Sequence, residues 1–346
     1  MNEGTKLKAA EARILGRIEE AHLSIESGAT GISPDSSATA SGTVPANVQR
    51  SPVHNAFVGP NGIRAGWRLL IFLVFFVAFA QAFGFVFHHI PAVSTWHRSL
   101  PKNEMTAGGT IFDEGFTFLA LFLATLLMTL IEKRTLADYY LPPTQAFGKR
   151  FWQGIPYGFA MLSLLVALIG LLHGFSIEGF ALAGNSALKF GLLYALAFVL
   201  VGLFEEFSFR GYMQSTLGSG IGFWPAAIVL SLLFGAIHLQ NLNEAPVGAL
   251  MAGSFGVLAA FSLKRTGNIW FPIGMHAAWD WGETYFYSTP DSGFLAQGHL
   301  MNSTFQGAKW LTGGSVGPEG SVFAFVVLVL GGVGIHFLFP AKRQIS

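Results

Sequence analysis

Three short segments of this chain hold residue types that can move protons or stabilise charge. The first reads Glu205-Glu206-Phe207-Ser208-Phe209-Arg210, the second Phe234-Gly235-Ala236-Ile237-His238, and the third His276-Ala277-Ala278-Trp279-Asp280, with Glu283 about a turn beyond. All three lie within long apolar runs. A charged side chain in such a run costs roughly 2.5–3.5 kcal/mol on insertion scales, so each needs a physical reason to be there.

Spacing gives each segment a face. Glu206 and Arg210 are four residues apart and can pair along one helix surface, as can His276 and Asp280. Glu205 is turned about 100° from Glu206 and is free to point into a bundle interior. A carboxylate shielded from water beside a histidine suits activation of a water molecule as a nucleophile. Peptide hydrolysis also needs donors aimed at the developing oxyanion, each worth about 2.7–4 kcal/mol, and His276 with a protonated Asp280 could supply them. Metal binding uses the same residues differently. Glu205, His238 and His276 make a His₂Glu set with an open position for water, as in catalytic zinc sites. The residues alone leave both chemistries open.

Structural readings stand beside these. Glu206–Arg210 can be a buried pair and nothing more, and a lone His238 can be a packed histidine bonded to a neighbouring helix. Glu205 resists that explanation because it has no local partner. Glu283 and Glu244 read as the rim of a water-filled cavity. Trp270, Trp279 and Trp281 read as packing or interface anchors, and Gly248, Gly253 and Gly256 as close-packing positions between helices.

The elements that must position these residues follow from composition. Of 346 residues, 52% are hydrophobic and only 11% charged, against about a quarter charged in a soluble domain. Lipid is therefore the expected solvent, and the expected fold is an all-α polytopic bundle of about eight transmembrane helices. Candidate spans are 67–88, 115–131, 153–173, 188–217, 223–241, 246–263, 268–287 and 321–339, each near spanning length. Helices satisfy their own backbone in hydrocarbon, and strand alternation is absent. A net charge of +1 excludes the concentrated basic surface of a nucleic-acid binder. No cysteine is present, so disulfides, thiolate ligands and a cysteine nucleophile are excluded. Residues 1–63 read as an N-terminal helix (to about residue 28) and a Ser/Ala/Gly/Pro linker, and 64–346 as the membrane domain.

Depth links the clusters. Glu205 lies ~18 Å before Leu217, His238 ~22 Å from Phe223, and His276 and Asp280 ~12–18 Å from Asn268, by helical rise. All three reference ends fall on one side of the membrane. Arg64, Arg68, Lys133, Arg134, Lys149, Arg150, Lys264, Arg265, Lys342 and Arg343 also gather on that side, which makes it the cytoplasmic face with both termini on it. The three clusters are expected to meet in one wet pocket beneath that face of the inner (plasma) membrane.

The ordered set E-E-x-x-x-R, F-x-x-x-H and H-x-x-x-[ND] on successive spans resembles the type II CAAX prenyl protease and bacteriocin-processing family, also called CPBP or Abi. The resemblance covers about residues 187–285, and Arg210-Gly211-Tyr212 fits it as well. It implies an intramembrane endopeptidase acting on a peptide or membrane-protein substrate. Glu205 and His238 would activate water, Glu206 and Arg210 would support the site, and His276 with Asp280 would bind the oxyanion or hold a metal. Asp280 stands where related eukaryotic sequences commonly have Asn. An ionised Asp cannot donate to an oxyanion, so Asp280 must be protonated, orient His276 or bind metal. The family carries both a metalloprotease label, with zinc as the implied ion, and a metal-free glutamate mechanism; the glutamate mechanism is the one expected here. Two other classes compete. A proton- or ion-coupled transporter would use Glu205, Glu206, His238 and Asp280 as a relay and needs a polar path to both sides. A non-enzymatic scaffold or immunity factor would tolerate loss of Glu205 and His238.

Overall fold

The computed structural model describes residues 56–59, 62–241 and 243–340; the helix and most of the linker expected before residue 56 lie outside the described residues. The remaining chain is an all-α bundle. Its helices are α1 (Ala65–His88), α2 (Pro91–Ser99), α3 (Ala107–Glu132), α4 (Lys149–Leu171), α5 (Gly184–Glu206), α6 (Met213–Ile221), α7 (Phe223–His238), α8 (Pro246–Thr266), α9 (Trp270–Trp281), α10 (Lys309–Thr312) and α11 (Val322–Leu338). Each of the eight expected spans coincides with one of these helices or a joined pair.

Helices α1, α3, α4, α8 and the joined α5–α6 stretch are long and apolar enough to cross a membrane. The chain is a multi-pass membrane protein. The other three spans are shorter. Among them α9 has a clear physical reason, because every residue from Trp270 to Asp280 is buried. A helix that is apolar around its whole circumference belongs in the middle of a bundle, not against lipid. Helix α4 packs closely on it through Gly154 and Gly158, while Gly274 of α9 faces the backbone of Phe151. Small residues at such crossings let backbones approach.

The connections between spans gather into two sets at opposite ends of the bundle. The segments after the first, third, fifth and seventh spans bond to one another. Strand β1 (Phe175–Phe180) pairs antiparallel with β2 (Met301–Phe305), and Glu104–Met105 pairs parallel with Leu295–Ala296. The side chain of Asn243 donates to Gly293 O at 2.8 Å. The segments after the even spans form the second set: Ser215 donates to Asp138 O at 2.8 Å, and Asn268 to Gln145 at 2.7 Å. The start of α1 joins this second set. Arg68 pairs with Glu132 at 2.7 Å, and Glu132 accepts from the Tyr212 hydroxyl at 2.6 Å. Arg68 thus has a buried carboxylate partner, beyond its place in the topological charge count. The basic residues Lys133, Arg134, Lys149, Arg150, Lys264 and Arg265 all belong to this second face.

Candidate active site

Span four does not continue as a regular α-helix through its charged motif. Phe207–Tyr212 is a π-helical stretch, and Gly211 has φ −89° and ψ −109°, outside helical values. π-Bulges concentrate at functional sites because the extra residue re-aims the side chains around it. Here the bulge follows Glu205 and Glu206 directly and carries Arg210 inward, where it is 2% exposed.

Arg210 and Glu206 form the expected four-residue pair, with Nη1 3.3 Å from Oε1. The same Glu206 oxygen accepts from His276 Nδ1 at 2.9 Å. Glu206 is completely buried, so its charge is held by an arginine and a histidine from two different helices. The Phe234 ring lies under the Arg210 guanidinium at 4.5 Å and edge-on to the His238 ring at 4.5 Å. That contact explains the aromatic position of the second motif: it is a cation–π platform between arginine and histidine. Gly256 completes the packing, since a Cβ there would lie 2.4 Å from Arg210 Nη2. Gly248 and Gly253 are likewise crowded by Glu244 and by the Ser231 carbonyl, as their close-packing reading requires.

With Nδ1 engaged by Glu206, the Nε2 atom of His276 faces the other carboxylates. It lies 3.5 Å from Glu205 Oε2 and 3.5 Å from Asp280 Oδ2. These are charge-pair distances, longer than a strong hydrogen bond. His276 therefore sits among three carboxylates, two from span four and one from its own helix. Glu205 is the most accessible of them, with its side chain 22% exposed. His238 is the last residue of α7, three residues short of the expected span end, and its Nδ1 donates to Phe234 O at 2.8 Å. Its Nε2 is left for the chamber. Among the described residues no ion pair or hydrogen bond joins His238 to Glu205.

Glu205, His238, His276 and Asp280 line one cavity of about 790 Å³, within the usual range for ligand sites. The location of its opening differs from expectation. Its outer wall is built from His97, Arg98, Lys102, Ser292 and Glu319, all from the base-poor connections. The pocket thus opens away from the face that carries the basic loops, rather than beneath that face. Toward the basic face, Phe207, Tyr212 and Tyr139 are fully buried in an apolar cluster. Helical rise along each span carries no information on which end of the bundle is hollow.

Zinc held by Glu205, His238 and His276 does not fit this arrangement. Among the described residues the only trio of His, Asp or Glu with ligand atoms mutually within 4.8 Å is Glu283, Asp291 and Glu319. Glu283 needs a further correction, because it is wholly buried rather than a rim residue. Trp279 and Trp281 are packing residues as expected, with their indole N–H groups on Glu319 Oε1 at 3.1 Å and Gly191 O at 2.9 Å. Trp270 donates to Pro142 O at 3.1 Å.

Three residues of the chamber were not foreseen. Glu114 of α3 lines it, and its Oε2 is buried without a hydrogen-bond partner. The signal was present, an acidic residue one position before the apolar run at 115–131, but a hydropathy boundary assigned it to a loop. Asp291 and Glu319 come from connections with no helical periodicity, where sequence carries no positional signal. Burial, reinforced by the neighbouring Glu319 carboxylate, pushes the Asp291 carboxyl up to about 7.

A bundle of apolar helices that gathers carboxylates, an arginine and imidazoles around one chamber defines a membrane protein with a buried polar chamber. Residues 187–282 match the family model described as type II CAAX prenyl endopeptidase Rce1-like. The matched segment contains all three motifs and agrees with the range over which they resemble that family. No curated protein and no solved structure matches the chain.

Proposed function

We propose that the protein is an intramembrane endopeptidase with a glutamate mechanism, hydrolysing a peptide or membrane-protein segment that enters the chamber. The observation that supports this most is the division of labour between adjacent glutamates. Glu206 is buried and bound by Arg210 and His276, whereas Glu205 is bound only through its 3.5 Å approach to His276 and meets the chamber. Glu205 then takes a proton from water as the water oxygen bonds to the scissile carbonyl carbon. The same proton passes to the amine as the C–N bond breaks. His238, with Nδ1 tied to its own helix, accepts a hydrogen bond from that water at Nε2. His276, in its doubly protonated form, keeps one N–H on Glu206 and directs the other to the oxyanion. Asp280 orients the His276 ring from below. Arg210 is a positioning residue that acts through Glu206.

The basic loops assign their face to the cytoplasm by the positive-inside rule. On that reading both termini are cytoplasmic, the membrane is the plasma (inner) membrane, and substrate reaches the chamber from the opposite side. The apolar cluster behind the site weighs against a transporter, which needs a polar path through both faces.

The test is Glu205→Gln in purified full-length protein, assayed against a peptide pool with products read by mass spectrometry. Loss of the general base is expected to lower cleavage by about 10²–10⁴-fold. Cleavage at the unaltered rate would end the glutamate proposal, and loss of wild-type cleavage on chelation that zinc restores and calcium or magnesium does not would replace it with a metal mechanism.

A further inference from the structure

Within the wall of the chamber lies a second cluster that the proposed reaction does not use. Glu283, in the π-helical turn that follows α9, meets Asp291 and Glu319 from two separate connections, with ligand oxygens within 4.8 Å of one another. Glu283 and Asp291 are 0% and 8% exposed. Three carboxylates converging in so little water repel one another strongly, so they either keep protons or hold a cation between them.

The bonding of each carboxylate indicates what is missing. Asp291 accepts from the Thr284 hydroxyl at 2.6 Å, and Glu319 accepts from the Trp279 indole at 3.1 Å and the Ser292 hydroxyl at 3.1 Å. These neutral donors orient the two carboxylates and leave lone pairs toward the centre. Glu283 is less well served: the Trp279 indole that bonds Glu319 also lies near it, without making a bond of ordinary geometry to it. Both of its carboxylate oxygens are buried without any hydrogen-bond partner. Buried polar atoms are almost always satisfied, so two orphan oxygens on one carboxylate aimed into an acidic cluster point to an absent ligand. Among the described residues no lysine, arginine or histidine forms an ion pair with any of the three carboxylates.

We propose that Glu283, Asp291 and Glu319 bind a hard divalent cation of the calcium or magnesium type. The donors are oxygen only, which suits those ions and disfavours zinc or copper, whose sites draw on nitrogen and sulfur. Gly317, at φ +104°, passes so near that a Cβ would sit 3.3 Å from Glu283 Oε1 and collide with the Pro290 carbonyl. A cation here ties the turn after α9 to the 288–294 and 313–320 connections. Those connections supply Asp291, Ser292 and Glu319 to the chamber wall. The ion is a structural clamp on that wall, distinct from Glu205 and His276, and the inference does not depend on the protease reading.

The experiment is titration of chelator-stripped full-length protein in detergent with calcium, magnesium or zinc, followed by isothermal calorimetry and by melting temperature. Calcium or magnesium is expected to bind at one ion per chain and to raise the melting temperature in a saturable way. Removing one anionic ligand by Glu319→Gln is expected to weaken binding by on the order of 10–100-fold. Asp291→Asn serves as a second variant should Glu319→Gln not fold. Absence of saturable calcium or magnesium binding to the wild type at millimolar concentration overturns the proposal. So does binding that both variants leave unchanged, or stabilisation by zinc alone.

Discussion

Gly158→Ala is expected to damage this protein although it adds a single methyl group within an α-helix. At that position an added Cβ would lie 1.9 Å from the carbonyl oxygen of Met275, on the neighbouring α9. Ordinary van der Waals contact begins near 3.4 Å, so the two backbones must part by roughly 1.5 Å. Neither partner is a flexible side-chain end. Overpacking of this kind costs about 1–3 kcal/mol, against a gain of about 0.5–1 kcal/mol from replacing glycine within a helix. The net effect is a loss of stability of about 0–2.5 kcal/mol by the same figures, near 1 kcal/mol at their midpoints. Gly84→Ala is the internal control, because nothing lies within 4 Å of its Cβ direction on α1. Differential scanning fluorimetry on the eight tryptophans should show Gly158→Ala melting below wild type and Gly84→Ala at or above it. The same displacement reaches His276, the residue after Met275, and a misplacement of 1 Å in a catalytic group can cost about 10²-fold in rate. A Gly158→Ala protein that melts with Gly84→Ala would refute the close approach of α4 and α9, and with it the positioning of His276.

Arg210→Met should destabilise the fold by about 3–5 kcal/mol, because it leaves the buried Glu206 charge with one partner fewer. Adding Glu206→Gln to that variant should recover most of the loss while leaving the protein inactive, as a melting curve paired with a cleavage assay would show. Away from the membrane, the Asp138 carboxyl is held below its ordinary range by bonds from the Thr135 backbone N–H and hydroxyl at 2.7 and 2.8 Å. Its folded-state value lies below the unfolded one, so its stabilisation is present above the ordinary carboxylate range and fades as pH falls through the lowered value. Asp138→Asn should therefore lower the melting temperature at pH 7 and converge with wild type near pH 2, and a constant gap across that range would refute the assignment.

The sequence by itself determined the solvent, the number of crossings and the pairing within each motif. Those properties are local: apolar runs of spanning length, and a helical repeat that puts Glu206 over Arg210 and His276 over Asp280. It also carried the order of the motifs that the family match shares. What it could not determine was which groups meet across helices. The joint hold of Arg210 and His276 on Glu206, the failure of Glu205, His238 and His276 to form a tight trio, and the opening of the chamber toward the base-poor face all depend on helix rotation and on crossings at Gly154, Gly158 and Gly256. Helical period fixes a residue's angle on its own axis but says nothing of the neighbouring axis. The same reason explains Glu283, Asp291 and Glu319, which come from a helix end and two irregular connections and are brought together only by the folded chain.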